Sequence, residues 1–211
     1  MTDSLCNNRV SMAADHLQTL YVARHGETAW SVTGQHTGLT DLPLTERGEQ
    51  NAGRLRARLG GMRFTVVLTS PLKRAMRTCE LAGFGAVAEV ERDLLEWNYG
   101  HYEGRTSAEI HAERPDWDLF RDGCPGGESP ADVAVRADRV VARVRAVAGD
   151  ILVFSSGHFS RMLAFRWLGL PPTVHAKFFL LGTASVSVFG YDRDVTRPAI
   201  RLWNDTRHVD E

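Results

Sequence analysis

Short apolar runs alternate along the chain with segments whose apolar residues recur every three or four positions. The recurring segments predict helices, because that spacing places side chains on one helical face. They cover residues 46–59, 72–79, 129–149 and 158–168. The apolar runs are typical of buried strands and cover residues 20–23, 64–69, 87–90, 151–154, 185–189 and 200–203. Strands that alternate with helices indicate an α/β layer fold with a mostly parallel sheet.

Two stretches depart from this alternation. Residues 1–17 are polar and lack periodicity, so we expect a loose N-terminal leader. Residues 92–128 carry scattered aromatic side chains without a regular period, and we expect an excursion over one edge of the sheet, above the active site. The sequence has no repeats, low-complexity tracts or linkers. Residues 18–211 are therefore predicted to form a single domain.

Composition is that of an ordinary globular protein. Of the 211 residues, 43% are hydrophobic and 24% are charged, and 25 basic residues face 26 acidic ones for a formal charge of -1. This balance does not favour nucleic acid or a membrane surface as a partner. No apolar run approaches the roughly 18 residues that span a bilayer, and the N-terminus lacks the apolar centre of a signal peptide. Cys6, Cys79 and Cys124 form no CxxC pair, so we expect a reduced, cytoplasmic protein without a structural metal site.

Charged side chains follow each of four predicted strands. Arg24 and His25 come after the first strand and Arg74 after the second. Glu96 follows the strand near 87–90, and His158 follows the strand at 151–154. In an open α/β sheet, ligands bind beyond the carboxyl ends of the strands. We therefore expect these five side chains to converge on one edge of the sheet.

This set of side chains suits chemistry on a phosphoryl group. Guanidinium groups bind phosphate oxygens in a bidentate way. One neutral imidazole can attack phosphorus, and a second can stabilise charge in the transition state. A carboxylic acid can protonate the departing alkoxide. Because arginine and histidine supply the positive charge, the set predicts no metal ion and no other cofactor.

Five motifs surround these side chains in order. Residues 21–28 read YVARHGET, residues 69–78 read TSPLKRAMRT, residues 95–100 read LEWNYG, and residues 156–158 read SGH. Thr37 and Gly38 precede a Leu-Thr pair at 44–45 with Gly48. Together these motifs resemble those of the histidine phosphatase superfamily, also called phosphoglycerate mutase-like, over about residues 18–190. The resemblance implies a three-layer αβα sandwich with a mostly parallel central sheet.

The resemblance also implies a role for each motif residue. His25 would be the phosphorylated nucleophile, and Glu96 the proton donor that later activates water. Arg24, Arg74 and His158 would hold the phosphoryl oxygens. Candidate substrate contacts come from the neighbouring segments. They are Thr37 through its hydroxyl, Gly38, Ser31 (where many relatives carry Asn), His36, Tyr99 and His101.

Segments 34–45, 96–104 and 121–129 are closest to the sedoheptulose-1,7-bisphosphatase-like branch of that family. The resemblance therefore implies a metal-independent phosphomonoesterase for small phosphorylated metabolites, with sugar bisphosphates as one substrate class and a homodimer as one assembly. Phosphoglycerate mutases are similar but carry a longer basic insertion before the last histidine. The mutase and a non-catalytic module that binds phosphorylated ligands remain alternatives. A metallohydrolase is a distant third, since the sequence has no HExxH motif.

Overall fold

A six-stranded sheet forms the centre of the computed structural model, which describes residues 17–172 and 174–209. The predicted leader therefore lies outside the described residues, apart from Leu17. The strands are β1 (Leu20–Arg24), β2 (Val66–Thr69), β3 (Ala88–Val90), β4 (Ile151–Ser155), β5 (Val186–Tyr191) and β6 (Pro198–Asp205). The α-helices are α1 (Ala29–Thr33), α2 (Glu46–Leu59), α3 (Lys73–Leu81), α4 (Ser107–Glu113), α5 (Leu119–Asp122), α6 (Pro130–Arg145) and α7 (Gly157–Trp167).

The sheet is mostly parallel, as the sequence predicts. Its strand order is β3-β2-β4-β1-β5-β6. The four strands β3, β2, β4 and β1 pair in parallel, whereas β5 runs antiparallel to both β1 and β6. The carboxyl ends of β1, β2 and β4 therefore lie side by side, and the residues that follow them meet at one edge of the sheet.

Helices cover both faces of the sheet and bury two apolar cores. On one face, helices α6 and α7 pack on alternate strand residues that include Val22 and Val153. On the other face, Leu55 of α2 and Cys79 of α3 pack against Phe154 and its neighbours. Every residue of β4 is buried, which fits a central strand covered on both faces. The predicted three-layer αβα sandwich is confirmed.

Local capping explains where the helices begin. Thr45 caps α2 by accepting the Gly48 amide, and Ser129 caps α6 with Pro130 in its first turn. Helix α1 was not predicted, because it has only five residues and no buried side chain. A reciprocal capping box between Thr28 and Ser31 holds it instead.

The stretch 92–128 is more regular than its sequence pattern indicates. It contains two short 3₁₀ helices, at Arg92–Leu94 and Gly100–Tyr102, followed by α4 and α5. Thr106 and Asp118 cap the two α-helices, whose four to seven residues are too few to show helical periodicity. The aromatic side chains of Trp97, Trp117 and Phe120 join the core beneath α6 and α7. In the described part of the chain, no helix is both long and apolar enough to cross a bilayer.

Candidate active site

A cavity of about 220 Å³ lies at the carboxyl ends of β1 and β4. Among the described residues, Glu96 supplies the one carboxyl group in its lining. Its other lining residues are basic, polar or aromatic. The full lining is Arg24, His25, Thr28, Trp30, Ser31, Gly34, Gln35, His36, Thr37, Glu96, Tyr99, Ser107, Gly157, His158 and Arg161.

His25 is fixed at the end of β1 with one ring nitrogen engaged. Its amide donates to the Ser155 carbonyl at 2.9 Å, and its carbonyl accepts the Ala184 amide at 3.0 Å. The ring Nδ1 lies 2.7 Å from the Gly26 carbonyl, which can only accept, so Nδ1 carries the proton. Burial lowers the pKa of His25 well below 6.5, and the charges of Arg74 and Arg24 lower it further. The ring is therefore neutral at physiological pH, and Nε2 keeps its lone pair.

Two arginines lie near His25, the half-buried Arg24 and the fully buried Arg74, and each has part of its guanidinium unsatisfied. Arg24 donates through Nη1 to the Leu181 carbonyl. Arg74 holds the segment 37–40 through its carbonyls, donating to Thr37 at 3.0 Å, to Gly38 at 2.8 Å and to Thr40 at 3.0 Å. In both arginines the Nε atom is buried and has no partner among the described residues. Buried donors are normally paired, so this arrangement indicates a site for an anion.

Glu96 is held by the amino-terminal end of α7. Its Oε1 accepts the amides of Trp97 at 2.9 Å and Phe159 at 2.7 Å, and its Oε2 accepts the amide of His158 at 3.0 Å. Unpaired amides at a helix start favour an acidic group there. The carboxyl group is therefore fixed in place in the wall of the cavity, and it is the one proton donor or acceptor of its kind there.

His158 lies in the cavity wall with its Nδ1 paired to Tyr99. The Tyr99 hydroxyl is 2.5 Å from Nδ1. Burial, together with the charge of Glu96, raises the pKa of Tyr99 well above 10, so the hydroxyl keeps its proton. Burial and the charge of Arg161 lower the pKa of His158 well below 6.5. A neutral ring that accepts at Nδ1 carries its proton on Nε2, which makes Nε2 a hydrogen-bond donor.

The predicted substrate contacts divide into two groups. His36, Ser31, Thr37 and Tyr99 line the cavity. His36 is buried, which lowers its pKa to about 4, and its ring packs against Tyr99 with a centroid separation of 4.8 Å. The Ser31 hydroxyl donates to the Thr28 carbonyl at 2.9 Å, and the Thr37 hydroxyl donates to the Gln35 carbonyl at 3.3 Å.

Gly38 and His101 lie outside this lining. Gly38 lies against backbone and the Glu103 side chain: an added Cβ would be 2.4 Å from the Trp97 carbonyl oxygen, and the Gly38 amide donates to Glu103. His101 is exposed on the 3₁₀ turn Gly100–Tyr102, and its ring lies near Gly126, where an added Cβ would be 2.9 Å from Nε2. Neither residue lies in the cavity wall, and a substrate contact by either one stays a prediction.

Two further charged residues, Glu103 and Arg77, are close in sequence to predicted site residues but make their contacts outside the cavity wall. Glu103 accepts the amides of Gly38 at 2.8 Å and Thr40 at 3.1 Å, so it braces the same loop as Arg74 and is not part of the cavity wall. Arg77 is exposed and pairs with Glu49 at 2.7 Å. Of the two residues predicted from the sequence, Glu96 lies in the cavity wall, whereas Arg74 lies outside the lining and stays a prediction as a phosphate ligand.

The sequence analysis did not identify several residues that line the cavity. One of them, Arg161, is charged. Arg161 follows His158 by three positions on α7, a spacing that places both on one helical face. That spacing could have identified it. Ser156, directly after β4, is buried and its hydroxyl has no partner among the described residues, and a Cβ added at Gly157 would lie 3.3 Å from the Arg24 guanidinium. In the described chain, no group of three or more His, Cys, Asp or Glu side chains is placed to hold a metal ion.

Comparison with known proteins agrees with this geometry. The family model for the histidine phosphatase superfamily, branch 1, matches residues 20–206. An acid phosphatase of Mycobacterium tuberculosis is 41% identical over 185 residues, which cover 86% of this chain and 90% of that protein. The sedoheptulose 1,7-bisphosphatase of Saccharomyces cerevisiae is 37% identical over 182 residues, covering 71% of this chain and 67% of that protein.

Two further relatives complete the comparison. A 2,3-bisphosphoglycerate-dependent phosphoglycerate mutase of Methylobacterium radiotolerans is 35% identical over 171 residues, covering 72% of this chain and 79% of that protein. A solved structure from Mycobacterium tuberculosis superposes with a TM-score of 0.84 at 39% identity, covering 90% of this chain and 98% of that one. The chain belongs to the histidine phosphatase superfamily, and the resemblance inferred from its motifs is confirmed.

Proposed function

We propose that this protein is a phosphomonoesterase that hydrolyses small phosphorylated metabolites through a phosphohistidine on His25. One observation carries the proposal. His25 is neutral, with its proton on Nδ1 and a lone pair on Nε2, and Arg24 and Arg74 near it have buried Nε atoms without partners among the described residues. A nucleophile next to donors that suit an anion is placed for attack on phosphorus.

The reaction proceeds in two balanced steps. In the first, which starts from the carboxylic acid form of Glu96, Nε2 of His25 bonds to phosphorus while the ester P–O bond breaks, and Glu96 gives its proton to the leaving oxygen and becomes a carboxylate. Arg24 and Arg74 donate to the phosphoryl oxygens as negative charge moves toward the leaving group. In the second step, Glu96 takes a proton from water as that water attacks phosphorus. The N–P bond breaks, His25 returns to its neutral form, and inorganic phosphate leaves.

Cavity size and the named relatives support a small substrate. A cavity of about 220 Å³ admits a metabolite rather than a folded protein. Relatives named as an acid phosphatase and a sedoheptulose 1,7-bisphosphatase are 41% and 37% identical to this chain. We extend hydrolysis of phosphate esters to this chain on that basis, with sugar phosphates among the substrates.

Hydrolysis is favoured over mutase activity by the charges of the segment between Glu96 and α6. Its arginines are engaged with neighbours rather than directed at a ligand. Arg105 pairs with Glu113, Arg114 donates to the Tyr102 hydroxyl, and Arg121 pairs with Asp122. A mutase must retain a bisphosphate intermediate, which these paired side chains do not help to hold.

The experiment is phosphate release in EDTA from a panel of esters, with wild type and His25→Ala side by side. The panel contains p-nitrophenyl phosphate, fructose and sedoheptulose bisphosphates, and the two phosphoglycerates. We expect release by wild type in EDTA and a loss of at least about 1000-fold in the variant, since the nucleophile is absent. Isomerisation of phosphoglycerate without phosphate release would support the mutase. Binding without turnover of any ester would support the non-catalytic module.

A further inference from the structure

Arg161 is a charged residue of the cavity wall to which the reaction above assigns no task. It lies on α7, one turn after His158. Within the described residues its guanidinium has no hydrogen bond and no ion pair, and its Nε is buried. Arg166 on the same helix differs, because it pairs with Asp138 at 2.7 Å. Arg161 is thus the arginine of α7 that the described chain leaves without a counter-ion.

A half-buried guanidinium without a partner is costly, because the protein removes water from part of the charge, here the buried Nε, without replacing its contacts. Burial accordingly lowers the pKa of Arg161. Glu96 is the acidic group that acts on it, but both oxygens of that carboxyl group already accept amides of residues 97, 158 and 159. The guanidinium therefore retains donors that a bound anion can satisfy.

Arg161 also stands where two cavities meet. An outer cavity of about 220 Å³ adjoins the one that holds His25, and the two share His36, Ser107, His158 and Arg161 in their walls. Arg24 and His25 line only the inner cavity. At the far end of the outer cavity, Lys177 is already paired with Asp118 at 3.0 Å. Arg161 is thus the unpaired cation along the described wall of the outer cavity.

We propose that Arg161 binds a second acidic group of the substrate, a carboxylate or a second phosphate, while the scissile phosphate lies at His25. This inference rests on the proposed phosphatase function and narrows its substrate class to phosphate monoesters that carry another oxyanion. The planar guanidinium fork matches either oxyanion through two parallel hydrogen bonds. The rest of such a substrate extends from the inner cavity into the outer one.

The test compares substrates that differ only in the second acidic group. In the first pair, glycerol 3-phosphate has a hydroxymethyl group where 3-phosphoglycerate has a carboxylate. In the second pair, fructose 1,6-bisphosphate has one phosphate more than fructose 6-phosphate. For each pair we would measure the ratio of kcat/KM in wild type, Arg161→Met and Arg161→Lys. Arg166→Met is the matched control, because it removes an arginine of the same helix outside both cavities. For the same substrate pairs, the ratio of Kd would be measured in the His25→Ala variant and in the double variant that also carries Arg161→Met. This binding measurement needs no turnover.

We expect wild type to favour the member with the second acidic group by roughly 10- to 100-fold, the range that a hydrogen-bonded charge provides. Arg161→Met should bring the ratio close to one, Arg161→Lys should keep part of it, and Arg166→Met should leave it unchanged. A preference confined to one pair identifies the second group as a carboxylate or a phosphate. If Arg161→Met lowers kcat/KM equally for both members, Arg161 serves the scissile phosphate and this inference is wrong, while the phosphatase function stands. Wild type that hydrolyses none of the esters contradicts the function, and the Kd ratios then decide the inference by themselves.

Discussion

Replacement of Glu96 by glutamine tests two properties of this residue at once. The carboxylate accepts three backbone amides, from Trp97, His158 and Phe159, at 2.7 to 3.0 Å. A glutamine side chain offers one oxygen and one NH₂ group, so one oxygen position becomes a donor that faces another donor. The smallest loss places the NH₂ group opposite the single amide of His158.

The magnitude follows from these contacts. One charge-assisted hydrogen bond is lost, at about 1.5–3 kcal/mol, and the two that remain weaken because the acceptor becomes neutral. We expect the free energy of unfolding to fall by about 2–4 kcal/mol. For a chain of this size, that corresponds to a fall in Tm of roughly 5–15 °C.

The kinetic effect should depend on the leaving group. Glutamine cannot donate a carboxylic acid proton, so hydrolysis of alkyl phosphates should slow by about 100- to 10,000-fold. p-Nitrophenyl phosphate should lose much less, because its leaving group needs less protonation. The assay is kcat on both substrates at a temperature where each variant is folded, with Tm from thermal unfolding.

Glu103→Gln is the matched control for Glu96→Gln. Glu103 accepts the amides of Gly38 and Thr40 through one oxygen, which a glutamine can retain. This variant should show a small change in Tm and the same rate ratio between the two substrates as wild type. Equal losses on both substrates in Glu96→Gln, or a dependence on the leaving group in Glu103→Gln, would refute the assignment of the proton donor.

Two further predictions concern buried groups near His158. Tyr99→Phe removes the hydroxyl that fixes the His158 proton on Nε2. We therefore expect kcat to fall about 10-fold and the free energy of unfolding to fall by about 1–2 kcal/mol. The control Tyr102→Phe loses a contact to Arg114 outside the cavity and should leave kcat unchanged. Equal effects in both variants would contradict this role. Burial lowers the pKa of His36 to about 4 in the folded protein, whereas an unfolded histidine has a pKa of about 6.5. As the pH falls from 7.5 to 5, His36 therefore takes up a proton in the unfolded chain but not in the folded one. We expect this difference alone to lower the free energy of unfolding by about 1–2 kcal/mol. Denaturant unfolding at both pH values should show a smaller fall in His36→Gln, and an unchanged fall would show that His36 is not buried in its neutral form.

The sequence predicted the fold well where elements are long and buried. Fully buried β4 has an uninterrupted apolar run, and Thr45 and Ser129 are capping residues directly before periodic segments. Helix α1 and the helices of the stretch 92–128 could not be predicted, because they are neither long nor deeply buried. They are short, and local capping contacts such as those of Thr28 and Thr106 hold them.

The part of the candidate site that the sequence motifs supply could be predicted from their order along the chain. Arg24, His25, Glu96 and His158 all line one cavity because each follows a strand of the same sheet. The three-residue spacing from His158 places Arg161 on the same face of α7, but the lack of a carboxylate partner among the described residues follows from the packing and not from the sequence. The sequence predicts substrate contacts for both Tyr99 and His101, but Tyr99 is buried in the cavity wall, whereas His101 lies on an exposed 3₁₀ turn outside it.

The most direct test of the account is to identify the phosphorylated residue during turnover. Wild type would be mixed with substrate, quenched rapidly in base, digested and analysed by mass spectrometry, with His25→Ala treated identically. We expect an acid-labile phosphoryl group on the peptide that contains His25, and no phosphorylated peptide from the variant. A phosphoryl group on His158 instead, or full phosphate release by His25→Ala, would contradict the central claim that His25 is the nucleophile.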